Sequence, residues 1–242
     1  MRHSYFLVLP LLFLFACQPA VDVQEIVDKA YAAHGKPLWD DLSALHYEKQ
    51  STVYNEDGSV RVNSLQQHHY EFGESFWAIV HWTANEEEHE ILFTDAGAEK
   101  FVNEKQVEDE KVEASAYEAV NAARYTVSQP FKLNDPGVVL TYEGEDTLED
   151  GAKVHVVKAS YSTENENHSK NDEWWYFFDV ENFRCLATMV HHGNTYSYIR
   201  NLEFDTSTGI VFNYHRKGYA VDSERNILYH QSEYFYRNYM VQ

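Results

Sequence analysis

The first regular pattern along the chain is helical. In the segment VDVQEIVDKAYAAHG, apolar residues recur at the three- and four-residue spacing that places them on one face of a helix. These residues are Val23, Ile26, Val27, Ala30 and Tyr31. Asp22 is a typical N-cap, and Gly35 followed by Pro37 ends the pattern. The sequence therefore predicts a helix that begins at residue 23 and ends before Gly35.

From Leu45 onward the pattern changes to the alternation of apolar and polar residues that is typical of β-strands. Five strand-like runs lie before residue 108 and seven lie after residue 136, separated by turn signals such as NEDG, DAG and LEDG. Short connections between successive strands favour antiparallel neighbours. A second helix is predicted between the two groups, in the alanine-rich segment KVEASAYEAVNAARYTVSQPF, and it ends before Pro130.

The order of these elements predicts the fold class. Strands and helices do not alternate, so we expect no parallel sheet. A sheet of about a dozen strands has to curl or close, because a flat sheet of that width is rare and its edges are hazardous. We predict a mainly β protein with two helices (α+β), in which a large curved antiparallel sheet forms a half-open barrel and the helices cover its concave side. Residues 23–242 are predicted to form this single domain.

The residues before the first helix have the order of a secretory signal. A short basic start is followed by an apolar run from Tyr5 to Phe15, which is too short to span a membrane as a helix. The letters LFAC at residues 14–17 resemble the bacterial lipobox, in which the cysteine is acylated and becomes the mature N-terminus. We predict a lipoprotein signal peptide over residues 1–16, lipidation of Cys17 and a tether over residues 17–22. The alternative is an ordinary signal peptide with an incidental cysteine.

Charge and cysteine content narrow the possible partners. The chain has 39 acidic and 19 basic residues, a net charge of −20. We therefore expect no binding to nucleic acid or to anionic membrane surfaces through charge, and a monomer that is held at the membrane by its lipid. Cys17 and Cys185 are the two cysteines of the sequence, too few for a disulfide framework. Cys185 lies in the apolar segment FRCLATMV and is expected to be buried rather than reactive.

Catalytic signatures are scarce. The sequence has no G-x-S-x-G motif and no glycine-rich phosphate loop, and HEILF lacks the second histidine of a zinc-protease helix. Thirteen histidines are present, but the adjacent pairs at 68–69 and 191–192 point to opposite faces of a strand. Ligands from different strands, such as His69, His81 and His191, could still hold a metal ion. Our prediction is no catalytic residue, no metal site and no cofactor.

Two predicted strands, SFWAIVHW and EWWYFFDV, are apolar on both faces. Either helices cover one face while a packed interior buries the other, or part of this surface lines a cavity for a hydrophobic ligand. The pattern alone does not decide which face looks inward. The cavity hypothesis selects residues on these strands and on the strand that follows the second of them: Trp77, Ile79, His81, Trp175, Phe177, Met189 and His191.

Four segments together resemble an uncharacterised family of bacterial lipoproteins, a domain of unknown function that is similar in architecture to the lipoprotein carriers LolA and LolB. These segments are HGKPLWDDLSALHYEK, QPFKLNDPGVVLTYEGEDTLEDG, WWYFFDVENFRCLATMVHH and YHQSEYFYRNY. The resemblance implies a curved antiparallel sheet around a hydrophobic cavity with helices as a lid, and it implies no known catalytic residue. A shared fold does not fix a function.

Three functions fit the sequence. The first is a lipid-anchored cell-envelope protein that binds a lipid or acyl chain in the half-barrel, with a role in lipid or lipoprotein handling. The second is an envelope hydrolase that uses Asp or Glu near the cavity mouth together with His69, His81, His191 and His192. The third is a non-catalytic structural or assembly lipoprotein. Gln18 is not the aspartate that retains lipoproteins in the inner membrane of many Gram-negative bacteria, so we expect the outer membrane.

Overall fold

The computed structural model describes residues 21–162 and 172–242, so the predicted signal peptide and Cys17 lie outside the described residues. Its helices are α1 (Val23–His34), α2 (Lys36–Asp40) and α3 (Glu110–Val127), and a 3₁₀ turn covers Phe131–Asn134. Both predicted long helices are confirmed. The Asp22 side chain accepts a hydrogen bond from the backbone N–H of Gln24, and Gly35 ends α1 in the left-handed conformation. The short helix α2 was not predicted.

Thirteen strands lie in the described part of the chain. They are β1 (Ala44–Tyr54), β2 (Val60–Glu71), β3 (Trp77–Ala84), β4 (Glu87–Thr94), β5 (Gly97–Val102), β6 (Lys105–Gln106), β7 (Val138–Thr147), β8 (Lys153–Tyr161), β9 (Glu173–Asp179), β10 (Cys185–His192), β11 (Thr195–Asp205), β12 (Phe212–Val221) and β13 (Ile227–Val241).

One strand-like run of the sequence forms two strands. The run EKFVNEKQV is split into β5 and β6 by a turn at Asn103 and Glu104, which both have positive φ. Asn85 and Glu86 make the same kind of turn between β3 and β4. Two consecutive positive φ angles characterise the type I′ hairpin turn, which asparagine tolerates well.

All strands belong to one curved, open antiparallel sheet, as predicted, in the order β6-β5-β4-β3-β2-β1-β13-β12-β11-β10-β9-β8-β7. The chain enters at the centre with β1 and meanders outward to one edge at β6. The connection that contains α3 then carries it to the opposite edge, and β7 to β13 meander back to the centre. There β13 pairs with β1, from Leu45 opposite Val241 to Val53 opposite Ser232.

The main hydrophobic core lies between the helices and the concave face of the sheet. Tyr176 and Phe178 of β9 and Ala78 and Val80 of β3 point into it, where α1, α3 and the 3₁₀ turn pack. Trp39 of α2 stacks on Phe131 with ring centroids 4.9 Å apart, which fixes the 3₁₀ turn over the sheet. Cys185 is buried in this core, as expected, and burial raises the pKa of its thiol to about 12.

A second hydrophobic cluster lies on the opposite face of the sheet. It is formed by alternate residues of β8 to β12 and by Leu148 from the β7–β8 turn. Phe177 and Trp175 of β9 point to this side, because successive residues of a strand face opposite ways. The double apolar pattern of EWWYFFDV therefore reflects two cores, one on each face. Among the described residues, no helix is long and apolar enough to cross a membrane.

Replacing Gly35 by alanine is expected to destabilise the fold through a backbone collision. Gly35 and Gly58 have nearly equal φ angles, +83° and +82°, but a Cβ at Gly35 would lie 2.8 Å from the carbonyl oxygen of Gly209, whereas one at Gly58 meets no atom within 4 Å. Both substitutions carry the strain of a left-handed residue, so G58A is the matched control. We expect G35A to lower the free energy of unfolding in urea by about 1–3 kcal/mol more than G58A. Equal losses would contradict the collision.

His34 makes the fold sensitive to acid. Its Nδ1 donates to the Ala30 carbonyl oxygen and its Nε2 accepts from the Cys185 backbone N–H, so the neutral ring is required. Burial lowers the pKa of His34 to about 4, from 6.5. Its stabilisation is complete above the unfolded pKa of 6.5 and is lost as the pH falls towards 4.

In urea unfolding at a series of pH values, we expect this histidine to contribute a loss of up to about 3 kcal/mol between pH 6.5 and 4. H34Q keeps a donor and an acceptor but does not titrate. Its free energy of unfolding should therefore fall less than that of the wild type between pH 6.5 and 4, by the contribution of His34. H192Q, at an exposed histidine, is the control. A wild type and H34Q that weaken in parallel would contradict the assignment.

Candidate functional site

The concave interior is lined by tyrosines on the central strands. Tyr47, Tyr70, Tyr236 and Tyr239 come from β1, β2 and β13 and are buried. The Tyr47 and Tyr70 hydroxyls are 2.9 Å apart, and the Tyr47 ring stacks on His68 at 4.6 Å. Burial raises the pKa of each of these phenols. The interior is therefore apolar in its walls and carries neutral hydroxyl groups.

Helix α3 covers one side of this interior with a small contact face. Of its 18 residues, three are buried: Ala116, Val120 and Val127. The half-buried Tyr117 stacks on Phe93 of β4, with ring centroids 4.9 Å apart. Three small or medium apolar side chains and a few ring contacts hold α3 on the sheet, less than the five buried residues among the 12 of α1.

Two further contacts fix the C-terminal half of α3. The Arg124 guanidinium lies 3.6 Å from the centre of the Phe76 ring and 3.7 Å from an Asp95 carboxylate oxygen. The Tyr125 hydroxyl lies 2.6 Å from the hydroxyls of both Tyr161 and Tyr176, and burial raises the pKa of all three groups. A pocket of about 10 Å³ lies beside this end of the helix, room for about one water molecule.

Two cations also face the concave interior. Arg216 of β12 donates from Nε to the Asn201 side-chain oxygen at 2.8 Å, and Asn201 in turn donates to the Cys185 carbonyl oxygen. Lys49 of β1 lies over the Tyr234 ring, with its Nζ 5.3 Å from the ring centre. Neither residue was selected from the sequence. The sequence did contain a signal for Lys49. It lies two positions after Tyr47, which places a charge on the apolar face of a strand.

A larger cavity lies on the opposite face of the sheet. This groove, of about 460 Å³, has an apolar floor and a rim that is mostly acidic. It is lined by Glu143, Glu145, Asp146, Val156, Glu173, Trp175, Phe177, Met189, Tyr196, Ser223, Glu224 and Arg225. Arg225 crosses one end, because it pairs with Asp146 at 2.6 Å and lies over the Phe177 ring at 4.9 Å.

The seven residues selected for a ligand cavity lie on the face opposite the helices, in two groups. Trp175, Phe177 and Met189 line the groove. His191 is beside them, stacked on Tyr196 with ring centroids 4.3 Å apart. The second group is Trp77, Ile79 and His81 on β3, and five strands separate β3 from β10. The structure therefore brings four of the seven together and leaves the other three on the far half of the sheet.

The four histidines considered for hydrolysis are also spread over the sheet. His69 contacts His46, with ring nitrogens 2.7 Å apart, and Glu71 at 3.0 Å. His192 contacts Asp172 at 2.6 Å on the other half of the molecule. Within residues 21–162 and 172–242, no three His, Cys, Asp or Glu side chains are arranged to hold a metal ion.

The small contact face of α3 predicts that this helix opens before the sheet unfolds. In hydrogen exchange read by mass spectrometry, peptides from residues 110–127 should exchange faster than peptides from β1 and β13, and faster than those from α1. The comparison with α1 is the control for helices in general. Protection of α3 equal to that of the central strands would contradict the prediction.

Comparisons with known proteins show the fold. No family model matches the chain, and no curated protein sequence matches it. Among solved structures, it is similar to a LolA superfamily protein from Nitrosomonas europaea, with a TM-score of 0.58 and 13% identity over 92% of this chain and 94% of that one. A DUF1329 family protein from Desulfovibrio piger gives 0.56 and 9% over 91% and 93%.

A third similar structure is an outer membrane lipoprotein-sorting protein domain from Vibrio parahaemolyticus, with a TM-score of 0.54 and 9% identity over 90% of this chain and 91% of that one. At these identities the likeness establishes the architecture alone. The chain has the LolA-like fold, as the sequence resemblance implied.

Proposed function

We propose that this protein is a cell-envelope protein that binds a hydrophobic ligand, a lipid or an acyl chain, against the concave face of its sheet. The observation that carries the proposal is the contrast between that face and its cover. The face is apolar and aromatic across both halves of the sheet, whereas α3 covers its part with three buried side chains. A ligand chain that separates α3 from the sheet gains this surface.

The magnitudes favour such an exchange. Each buried methylene contributes about 0.8 kcal/mol, and a buried valine side chain about 1.5–3 kcal/mol. Val120, Val127 and Ala116 together therefore stabilise the docked helix by less than an acyl chain of about a dozen carbons can supply. The contacts of Tyr117, Arg124 and Tyr125 add to the cost of opening.

A second candidate binding place is the groove on the opposite face. Its volume of about 460 Å³ lies in the range of small-molecule sites, and Trp175, Phe177 and Met189 supply an apolar floor. Its rim carries five carboxylates and one arginine, which favours a ligand less apolar than an acyl chain. The concave face is therefore the better place for a lipid.

Titration with N-phenyl-1-naphthylamine, a neutral dye that fluoresces in apolar surroundings, separates the two places. For binding under α3, Y117A should bind the dye faster than the wild type, because the stack on Phe93 is lost. W175A should leave the affinity unchanged. E118A, at an exposed residue of the same helix, is the control. A fall in affinity in W175A alone would assign the ligand to the groove, and absence of dye binding by all variants would refute the function.

We further propose that Cys17 carries the lipid anchor and that the protein is held at the outer membrane. The LFAC motif after an apolar run and the Gln18 that follows support this assignment. In cells fed a palmitate analogue, the wild type and C185A should be labelled and recovered with the outer membrane. C17A should be neither labelled nor retained. Labelling of C17A would contradict the anchor, and recovery with the inner membrane would contradict the location.

A further inference from the structure

Two cations in the concave interior have no anionic partner among the described residues. Arg216 is 1% exposed, and Lys49 is half-buried. In the described part of the chain, neither forms an ion pair with a carboxylate at 4.0 Å or less. The polar contacts of Arg216 are neutral: Asn201 at 2.8 Å, Gln129 at 3.5 Å and the Tyr236 hydroxyl. A buried charge without a counter-charge is costly, so proteins usually pair it.

The rest of the molecule shows that a partner was available. The chain has 39 acidic and 19 basic residues. Arg200, which is 8% exposed, binds two carboxylates, those of Glu149 and Asp150, at 2.7 Å each. Arg216 is more deeply buried than Arg200 and binds no carboxylate of residues 21–162 or 172–242. In a protein with such an excess of carboxylates, this contrast points to an anion that comes from outside the chain.

The sheet register brings the two cations to one place. Lys49 lies opposite Tyr236 and Arg216 lies opposite Tyr234, and these two tyrosines share one face of β13. Lys49 and Arg216 therefore flank β13 on the same face, two strand spacings across and two residues along, or about 12 Å apart. Their side chains are long enough to approach a common group above Tyr234. Burial lowers the pKa of Lys49, and the Arg216 charge contributes to this shift.

A third polar group, a ring nitrogen of His68, faces the same place. His68 of β2 is 4% exposed and uses Nδ1 in a contact with the Tyr70 hydroxyl at 3.1 Å. Its Nε2 has no hydrogen-bond partner among the described residues. His68 lies opposite Tyr47, on the sheet face that also carries Lys49, and the charge of Lys49 contributes, after burial, to the lowered pKa of His68. A neutral His68 with Nε2 protonated can donate to an anion.

We propose that Lys49 and Arg216, with His68 beside them, bind the anionic head of a single-chain amphiphile, a carboxylate or a phosphate. The inference rests on the proposed function, because the chain of this ligand lies along the apolar concave face. The half-buried Lys49 and Tyr234 give the head access to solvent. Charge-assisted hydrogen bonds from both cations would supply the counter-charge that neither has among the described residues.

Calorimetric titration of the folded protein with ligands that share one chain length tests the head group. The probes are laurate, dodecyl phosphate, dodecanol and dodecylamine, with inorganic phosphate as the head without the chain. We expect laurate and dodecyl phosphate to bind roughly tenfold or more tightly than dodecanol and dodecylamine. Inorganic phosphate that binds as tightly as dodecyl phosphate would overturn the amphiphile assignment.

The variants test the residues. K49M should remove most of the preference for laurate over dodecanol and leave the affinity for dodecanol unchanged, and K49R should retain the preference. R216M is expected to act in the same way, with R216K as the variant that keeps the charge if R216M does not fold. K105M, at an exposed lysine of β6, removes the same charge elsewhere and is the control.

The failures of the two proposals differ. If dodecanol and laurate bind equally, or if K49M keeps the preference for the acid, the anion site is wrong and the hydrophobic-ligand function stands. If no ligand with a chain binds and the neutral dye does not bind either, both proposals are wrong.

Discussion

The pairing of β1 with β13 is the interaction on which the rest of the structure depends. β1 begins a six-strand meander and β13 ends a seven-strand meander, and the pairing joins them into one sheet. The Gln242 carbonyl oxygen accepts from the backbone N–H of Ser43 at 2.7 Å, so the pairing extends to the last residue. Without it, two separate sheets would each expose an edge, and the concave face would not exist as a continuous surface.

This arrangement also dictates the position of α3. The first meander ends at the β6 edge and the second begins at the β7 edge, on opposite sides of the sheet. The segment between them has to cross a face of the sheet, and the concave face is the shorter path. Helix α3 therefore covers the interior because of connectivity, and it needs little packing energy to be there. Its three buried side chains are consistent with a cover that is placed by topology and held weakly.

Local sequence signals predicted most of the helices and strands. Which residues lie together at the candidate sites depends on the long-range register of the sheet. Asp22 and Gly35 marked the ends of α1, and the alternating pattern marked the strands. The Asn103–Glu104 turn was missed, because it lacks the glycine that usually marks a type I′ turn. For EWWYFFDV the pattern could not choose between Trp175 and Tyr176 as the inward residue, since each faces an apolar cluster.

The candidate anion site was beyond sequence reasoning for the same reason. Lys49 and Arg216 are 167 positions apart in the chain and meet through their common neighbour β13. Nothing in the letters around Arg216, HRKG, distinguishes it from the two basic residues nearby. Only the register shows that Arg216 points inward, whereas the neighbouring His215 points outward to Glu233 at 2.7 Å.

The net charge of −20 raises the question of whether an anion would approach this protein at all. Repulsion from surface carboxylates is screened beyond about 8–10 Å at physiological ionic strength, so it slows encounter more than it weakens binding. Inside the interior, the two cations act on a bound anion through a lower effective dielectric. There, one cation–anion pair at 4 Å contributes about 4 kcal/mol before desolvation. The buried tyrosines do not neutralise these cations, because burial raises the pKa of their phenols and keeps them protonated. The repulsion is screened at a distance and the attraction acts at short range, so the acidic surface and the cationic interior are compatible.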